Sequence, residues 1–435
     1  MTILSDIKAT GTTQVLVTLK GVAPGDSEAL ASHGTQITRL RRNFAAGENS
    51  QASMLAAVGG KRGKRANPVR VYPNLGLMLG TVDKSGYVGL RKDPAVQSVV
   101  PAPALSLIRP VEAAECSATD RVAWGLTRLR IPEVWDAGSI GRGVIVGHLD
   151  TGVDAGHPAL QGAVAAFARF DLDGDPVPGA RPSDSGEHGT HTAGTIVGRA
   201  VGATRFGVAP GAQLASALVI EGGNVIARIL GGMDWIVGQG ARILSMSLGL
   251  RGYREDFLPL MQAIRNRGVL PVVAVGNEYA GTSRSPGNYD VVLSVGASNE
   301  REEVAPFSSS QWIQRPKEPL VPDLVAPGDG VLSALPGGRY GTMNGTSMAT
   351  PHVAGVAALL WEAVPHATVD QVEQAILGSC TRPSSMTEAR ANRGVPDAVR
   401  AVALLRSATQ AGPGNASPAT RTNATRKKKA KKRKR

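Results

Sequence analysis

Gly345-Thr346-Ser347-Met348-Ala349-Thr350-Pro351-His352-Val353-Ala354-Gly355, followed at once by the apolar run 356–361, is the stretch on which the reading of this chain turns. It predicts a glycine-turned loop that delivers a serine to the first turn of a buried helix. Pro351 is tolerated early in such a helix because first-turn amides lack intrahelical partners. A helix N-terminus is electropositive, so a hydroxyl there suits a nucleophile whose developing negative charge meets backbone N–H groups. A serine at such a spot also serves as a plain N-cap, and the stretch alone leaves both roles open.

A nucleophilic serine needs a base to take its proton, and the base needs a partner to fix its tautomer. Upstream, Val144-Ile145-Val146-Gly147-His148-Leu149-Asp150-Thr151-Gly152-Val153-Asp154 is an apolar, strand-like run ending in a carboxylate and a turn. His188-Gly189-Thr190-His191-Thr192-Ala193-Gly194-Thr195 is a histidine opening a small-residue helix. By itself Asp150 reads equally as the cap of the turn at Thr151-Gly152. The order Asp, His, Ser, with Asp154 and His157-Pro158 following the first motif, resembles the subtilisin-like serine proteases, the subtilase family.

The resemblance covers about residues 124–405 and implies an endopeptidase acting through an acyl-enzyme, with no cofactor. It implies Asp150, His188 and Ser347 as the catalytic residues. It also implies Asn277, at the end of Val272-Val273-Ala274-Val275-Gly276-Asn277, as the oxyanion donor. Ser247, Leu248 and Gly249 match the segment that pairs with an extended substrate as an added strand. Read without the family, Asn277 is a turn residue and 245–249 an ordinary buried strand end. Two departures stand out: Glu187 replaces the glycine usual before the base, with an effect expected on loop shape or on the basicity of His188, and Val275 replaces an alanine. His148, His157, His191 and His352 are assigned structural roles. Glu278 is not read as a preference for basic side chains.

Outward from these motifs, strands are expected at 143–149, 213–219, 241–246, 269–275 and 291–296. Helices are expected at 188–197, 224–237, 256–267, 347–363 and 368–377. Such alternation with runs buried on both faces predicts an α/β domain, a doubly covered and mostly parallel sheet, over residues 124–407. Function in such sheets gathers at the carboxyl ends of the strands, where Asp150 and Asn277 both fall.

Residues 1–108 read as a small separate α/β module. Strands at 14–19, 69–72, 75–82 and 96–100 and helices at 50–58 and 87–92 give a β-α-β-β-α-β, ferredoxin-like order. Asp93-Pro94-Ala95-Val96-Gln97-Ser98-Val99-Val100 resembles subtilase propeptides, which implies an intramolecular inhibitor and a self-processed zymogen; an unrelated binding module is the alternative. Residues 109–123 are taken as a linker, and Lys61-Arg62-Gly63-Lys64-Arg65 as a solvated loop.

With 435 residues, 42% of them hydrophobic, the chain can bury a large core. Its charge of +13 is misleading, because nine lysines and arginines lie within 426–435 and leave about +4 for the rest. Residues 408–425 form a flexible linker and the basic end a disordered tail, so only the tail predicts binding to nucleic acid or anionic surfaces. Cys116 and Cys380 are too few for a disulfide framework and lie outside the site motifs. Asp171, Asp173 and Asp175 hint at calcium but lack the remaining EF-hand ligands. No charged start followed by an apolar segment occurs in residues 1–21, so no export signal is expected there.

Overall fold

The computed structural model describes residues 2–20, 27–44, 69–103, 105–117, 121–221, 225–316 and 318–410. The helix expected at 50–58, the basic run at 61–65, and the tail beyond 410 lie outside them.

Seven parallel strands form the central sheet, in the spatial order Leu324–Pro327, Leu293–Ser298, Leu270–Ala274, Ile243–Met246, Ile145–Asp150, Gln213–Leu218 and Val164–Arg169. Leu270–Ala274 and Leu293–Ser298 are buried at every position, as expected of strands covered on both faces. Alternation then sorts neighbouring side chains between two cores. Ile243 and Val272 join the core containing helix Thr346–Ala363, whereas Leu244 and Val273 join the core beneath helices Val225–Gly238 and Leu258–Asn266. The two edge strands, Val164–Arg169 and Leu324–Pro327, were not expected from their sequence, the first being half exposed and the second only four residues long.

Strand order reverses on either side of Ile145–Asp150. Later strands add on one side through Ile243–Met246 and earlier ones on the other through Gln213–Leu218. Asp150 is therefore the last residue of the strand at the switch point, where connections diverge and leave a crevice.

One expectation about the central helix is corrected. Helix Thr346–Ala363 begins at Thr346, so Pro351 is its sixth residue and not part of the first turn. The missing N–H there deprives the carbonyl of Ser347, four residues earlier, of its helical donor.

The N-terminal part has its own antiparallel sheet, ordered Val69–Tyr72, Leu77–Val82, Thr13–Leu19 and Val96–Pro101, with helices Ser27–Leu40 and Lys84–Lys92. A further helix, Ile3–Thr10, is capped by a reciprocal Thr2–Ser5 box. Ile3, Val15, Val17, Leu40, Met78 and Leu90 fill a separate small core. Leu16, Tyr72, Leu75, Leu77 and Leu79 instead share a core with Ile226, Ile229 and Leu230 of helix Val225–Gly238, so this sheet is seated on one face of the large domain.

Residues 109–123 differ from the linker expected of them. They contain the strand Glu112–Cys116, antiparallel to Arg339–Asn344. Nothing local marks this strand, because Glu112-Ala113-Ala114-Glu115-Cys116 carries no apolar alternation and is fixed by a partner more than 200 residues away.

Candidate active site

Asp150 closes its strand, and the chain turns at Thr151-Gly152. Gly152 has φ +116°, and a Cβ there would lie 2.0 Å from the carbonyl oxygen of Ser183. Gly189, the first residue after His188, packs against that turn so closely that a Cβ would meet the Gly152 oxygen at 2.1 Å. These two glycines let the histidine motif rest directly on the aspartate motif. Cross-braces lock the pair: Gly189 N–H donates to Thr151 Oγ1 (2.9 Å), and Asp184 accepts from Thr151 Oγ1 (2.7 Å) and Thr190 N–H (2.7 Å).

In consequence His188 Nδ1 lies 2.7 Å from Asp150 Oδ1, with both residues buried. Thr151 N–H donates to the same oxygen at 2.7 Å. Burial alone would raise the pKa of Asp150, but the facing His188 ring, its hydrogen bond and the Thr151 amide hold the carboxyl down at about 2. With Asp150 ionised, Nδ1 of His188 is the donor and Nε2 the free edge. Nε2 is buried and has no hydrogen-bond partner among the described residues.

Ser347, the second residue of its helix, is fully buried, and its Oγ–H donates to the carbonyl oxygen of Ile108 at 2.7 Å. Asn277 follows strand Leu270–Ala274. Its Oδ1 accepts from Thr346 N–H and Thr346 Oγ1, both at 2.9 Å, which turns Nδ2 outward to donate to the Arg109 carbonyl at 2.9 Å. Asp150 and His188 thus form one buried pair, and Ser347 and Asn277 together address the successive carbonyls of Ile108 and Arg109 in the crevice along which residues 106–111 run.

These residues follow an extended path. Ser106–Leu107 pairs antiparallel with Leu248–Arg251, in the register Leu248↔Leu107 and Gly249↔Ser106, and Ile108 N–H donates to Ser247 O at 2.9 Å. Beyond the serine, Val111 N–H donates to Asn344 O at 2.8 Å. The segment Ser247-Leu248-Gly249 therefore already carries an added strand. Leu105 and Ile108 are buried, at 3% and 1% exposure, and Leu105 belongs to the core that includes Leu248, Phe257 and Tyr289. The resemblance to subtilase propeptides implies a last strand lying in the substrate cleft; which residues lie there was not legible from the sequence.

The other residues singled out by their motifs find partners elsewhere. Glu187 pairs with Arg339 at 2.7 Å. Glu278 is neutralised by Arg284, whose Nε lies 2.9 Å away; burial opposes ionisation, but that guanidinium and Arg251 lower its pKa. His157 bonds the Arg339 carbonyl and the Ala159 N–H, and His191 bonds the Val331 carbonyl. His352 bonds the Met348 carbonyl. Burial drives His191 to about 3 and His352 to about 4, so both are neutral rings of the core. Asp171 Oδ1 accepts from the Asp173 and Asp175 amides, and Arg70 pairs with Asp173 (3.4 Å) and Asp175 (2.7 Å). No group of three acidic, histidine or cysteine side chains poised for a metal occurs among the described residues, and no helix among them is long and apolar enough to cross a membrane.

Comparison with known proteins agrees with this geometry. The model of the subtilase family matches residues 141–412. The chain is 35% identical over 263 residues to the M-protease of Shouchella clausii, covering 60% of this chain and 65% of that protein. It is 35% identical over 263 residues to Subtilisin Savinase of Lederbergia lenta, covering 60% and 91% respectively. It is 38% identical over 247 residues to the major intracellular serine protease of Bacillus subtilis, covering 54% and 74%.

Proposed function

This chain belongs to the subtilase family and is on that ground a serine-type endopeptidase, and from that premise we propose that Asp150, His188 and Ser347 form its catalytic triad. His188 Nε2 takes the Ser347 proton as Oγ attacks a peptide carbonyl, and Asp150 steadies the imidazolium so formed. The carbonyl oxygen, now negative, is held by Asn277 Nδ2 and the Ser347 N–H at the helix N-terminus. His188 then protonates the leaving amine, and water releases the acyl group by the reverse proton path. Every proton in these steps is held or moved by side chains of the chain itself, and water is the only added reactant. Arg70 pairs with both Asp173 and Asp175, which supports a structural role for that loop.

The observation that carries this reading is the peptide already lying in the crevice, its Ile108 carbonyl on Ser347 Oγ and its Arg109 carbonyl on Asn277 Nδ2. The same observation supports an inhibited zymogen. The hydroxyl and the amide address successive carbonyls, whereas attack needs one carbonyl to meet both. The Ser347 proton is also given to Ile108 and not to His188. Residues 1–108 then act as the intramolecular inhibitor, 109–123 as the segment to be cut, and 124–407 as the enzyme. The burial of Leu105 and Ile108 supports substrates with aliphatic side chains three residues apart, held by main-chain pairing to 247–249. The basic tail supports a second, separable property, salt-sensitive attachment to polyanions.

Intact-mass measurement after treatment with a fluorophosphonate tests the reading. One adduct and self-trimming within 109–123 are expected of the parent, and neither of Ser347→Ala. An adduct retained in that variant overturns it.

Docking of the N-terminal domain is expected to depend on pH. Asp234, on helix Val225–Gly238, accepts from Leu75 N–H (3.0 Å) and Asn74 Nδ2 (3.3 Å). Burial raises its pKa from 3.8 to about 6, against those hydrogen bonds and the charge of Arg267. A carboxyl whose pKa is raised by docking favours the docked state most below its free value, and that contribution is lost as pH rises through about 6. Nicked Ser347→Ala protein is therefore expected to keep its N-terminal fragment on gel filtration better at pH 5 than at pH 8, and Asp234→Asn to flatten that difference. Equal retention by the parent at both values excludes the effect.

A further inference from the structure

His148 stands two residues before Asp150 on the same strand, 1% exposed, with its ring on the face that carries the carboxylate. Its Nδ1 lies 2.9 Å from Ser216 Oγ and its Nε2 2.9 Å from Thr192 Oγ1. Its distance to Asp150 Oδ2, 3.8 Å, is too long for a direct hydrogen bond. Thr192 is one helical turn beyond His188. Its hydroxyl lies 3.1 Å from Asp150 Oδ2, 3.2 Å from the His188 carbonyl and 3.1 Å from the Gly189 carbonyl.

A hydroxyl has one proton to give, and carboxylate and carbonyl oxygens can only accept. Of the four polar neighbours of Thr192 Oγ1, only His148 Nε2 can donate to it. With Nε2 protonated, the Thr192 proton is left for an oxygen, and the carboxylate is the strongest acceptor among the three. With Nδ1 protonated instead, Nε2 becomes an acceptor and competes with Asp150 for the same proton. Ser216, whose hydroxyl can donate to Nδ1 or accept from it, accommodates either tautomer, and the pull of the carboxylate on the Thr192 proton favours the first. Burial keeps the ring neutral, with the His188 charge acting in the same direction and Asp150 and Asp184 opposing. A neutral ring has one donor and one acceptor, and the chain Ser216 to His148 to Thr192 to Asp150 uses both.

Resting on the triad proposed above, we propose that His148 is a positioning residue of the reaction: by donating to Thr192 it directs the Thr192 hydroxyl onto Asp150 Oδ2 and so fixes the carboxylate that orients His188. Oδ1 is then served by His188 and Thr151 and Oδ2 by Thr192, and the carboxylate has a donor on each oxygen. Removing the donor on Oδ2 concentrates negative charge on Asp150, which favours the protonated form of His188 and moves the acid limb of the activity profile to higher pH.

The test compares pH profiles of kcat/KM, and rates of fluorophosphonate labelling, for His148→Asn, His148→Gln, Thr192→Val, Thr192→Ser and the double variant His148→Asn/Thr192→Val. His148→Asn keeps a group near Ser216 but none near Thr192, and Thr192→Val deletes the hydroxyl. Each is expected to move the acid limb up by about half to one pH unit and to lower kcat by roughly three- to thirtyfold. His148→Gln, with an amide N–H in the place of Nε2, and Thr192→Ser are expected to stay within about twofold of the parent. The double variant is expected to match Thr192→Val alone, since both changes break one chain. Profiles that superimpose on the parent, additive effects in the double variant, or a change confined to the melting temperature overturn the proposal. If His148→Asn does not fold, the Thr192→Val and Thr192→Ser pair decides by the same criterion. A parent that takes no label overturns the triad itself, whereas a labelled parent with unmoved variants overturns only the role of His148.

Discussion

Ser347→Ala is expected to lower kcat for peptide hydrolysis by roughly 10⁶-fold with KM changed little, the scale known for loss of the serine in a subtilisin. The comparison uses parent and variant trimmed by the same exogenous protease, so that the absence of self-processing does not masquerade as a catalytic loss. No neighbour replaces the hydroxyl. Thr346 Oγ1 donates to Asn277 Oδ1, and Thr350 Oγ1 donates to the Thr346 carbonyl. Burial raises the Cys380 thiol to about 12, and burial with Glu115 raises that of Cys116, so neither supplies a thiolate at neutral pH. KM should hold because the proposed site of substrate pairing, the main chain of 247–249 that here carries residues 106–108, is not touched by the substitution. Residual turnover above about one part in 10³ would mean that Ser347 is not the nucleophile.

Asn277→Ala is expected to lower kcat by roughly 10²- to 10³-fold, again with little change in KM, as for the equivalent amide donor in a subtilisin. An amide that meets the oxygen only as it becomes negative stabilises the transition state and leaves ground-state binding alone. The orientation of this amide is enforced, since its oxygen accepts two bonds from Thr346 and only Nδ2 is left for the crevice. Asn277→Asp should therefore fare no better, because the oxygen that takes the place of Nδ2 would be an acceptor facing a developing anion. Steady-state kinetics separate the outcomes: a loss confined to KM would reassign Asn277 to substrate binding.

The sequence carried much of the large domain because its signals there are local. Five of the seven central strands are apolar runs of four to six residues bounded by turns, and helices such as 188–197 and 347–363 open on recognisable motifs. It failed where burial or pairing was supplied from afar. Val164–Arg169 has an exposed pattern and is a strand because Gln213–Leu218 lies beside it. Glu112–Cys116 looks like linker and is a strand because Arg339–Asn344 is exposed to it.

The site divides in the same way. Asp150, His188, Asn277 and Ser347 could be named because their motifs resemble those of the subtilases; read without the family, Asp150 is a turn cap, Asn277 a turn residue and Ser347 an N-cap. For Glu187 an effect on loop shape or on the basicity of His188 was expected, and the structure adds a partner 152 residues away, Arg339, that its own surroundings in sequence do not mark. His148 and Thr192 lie within the aspartate and histidine motifs, but His148 was read there as structural, and their relation exists only because adjacent strands and a helix bring two hydroxyls to one ring.

By itself, then, the order of amino acids determined where most central strands and helices end and which side chains stand there, since periodicity and turn residues act over a few positions, and it carried the motifs whose resemblance to the subtilases points to a reactive role. The tertiary structure alone decided how far apart those groups are, which proton points at which oxygen, and that residues 106–111 lie across the crevice. Those are distances between atoms remote along the chain, set by the close packing of glycines 152 and 189 and by strand pairing, and no local preference encodes them.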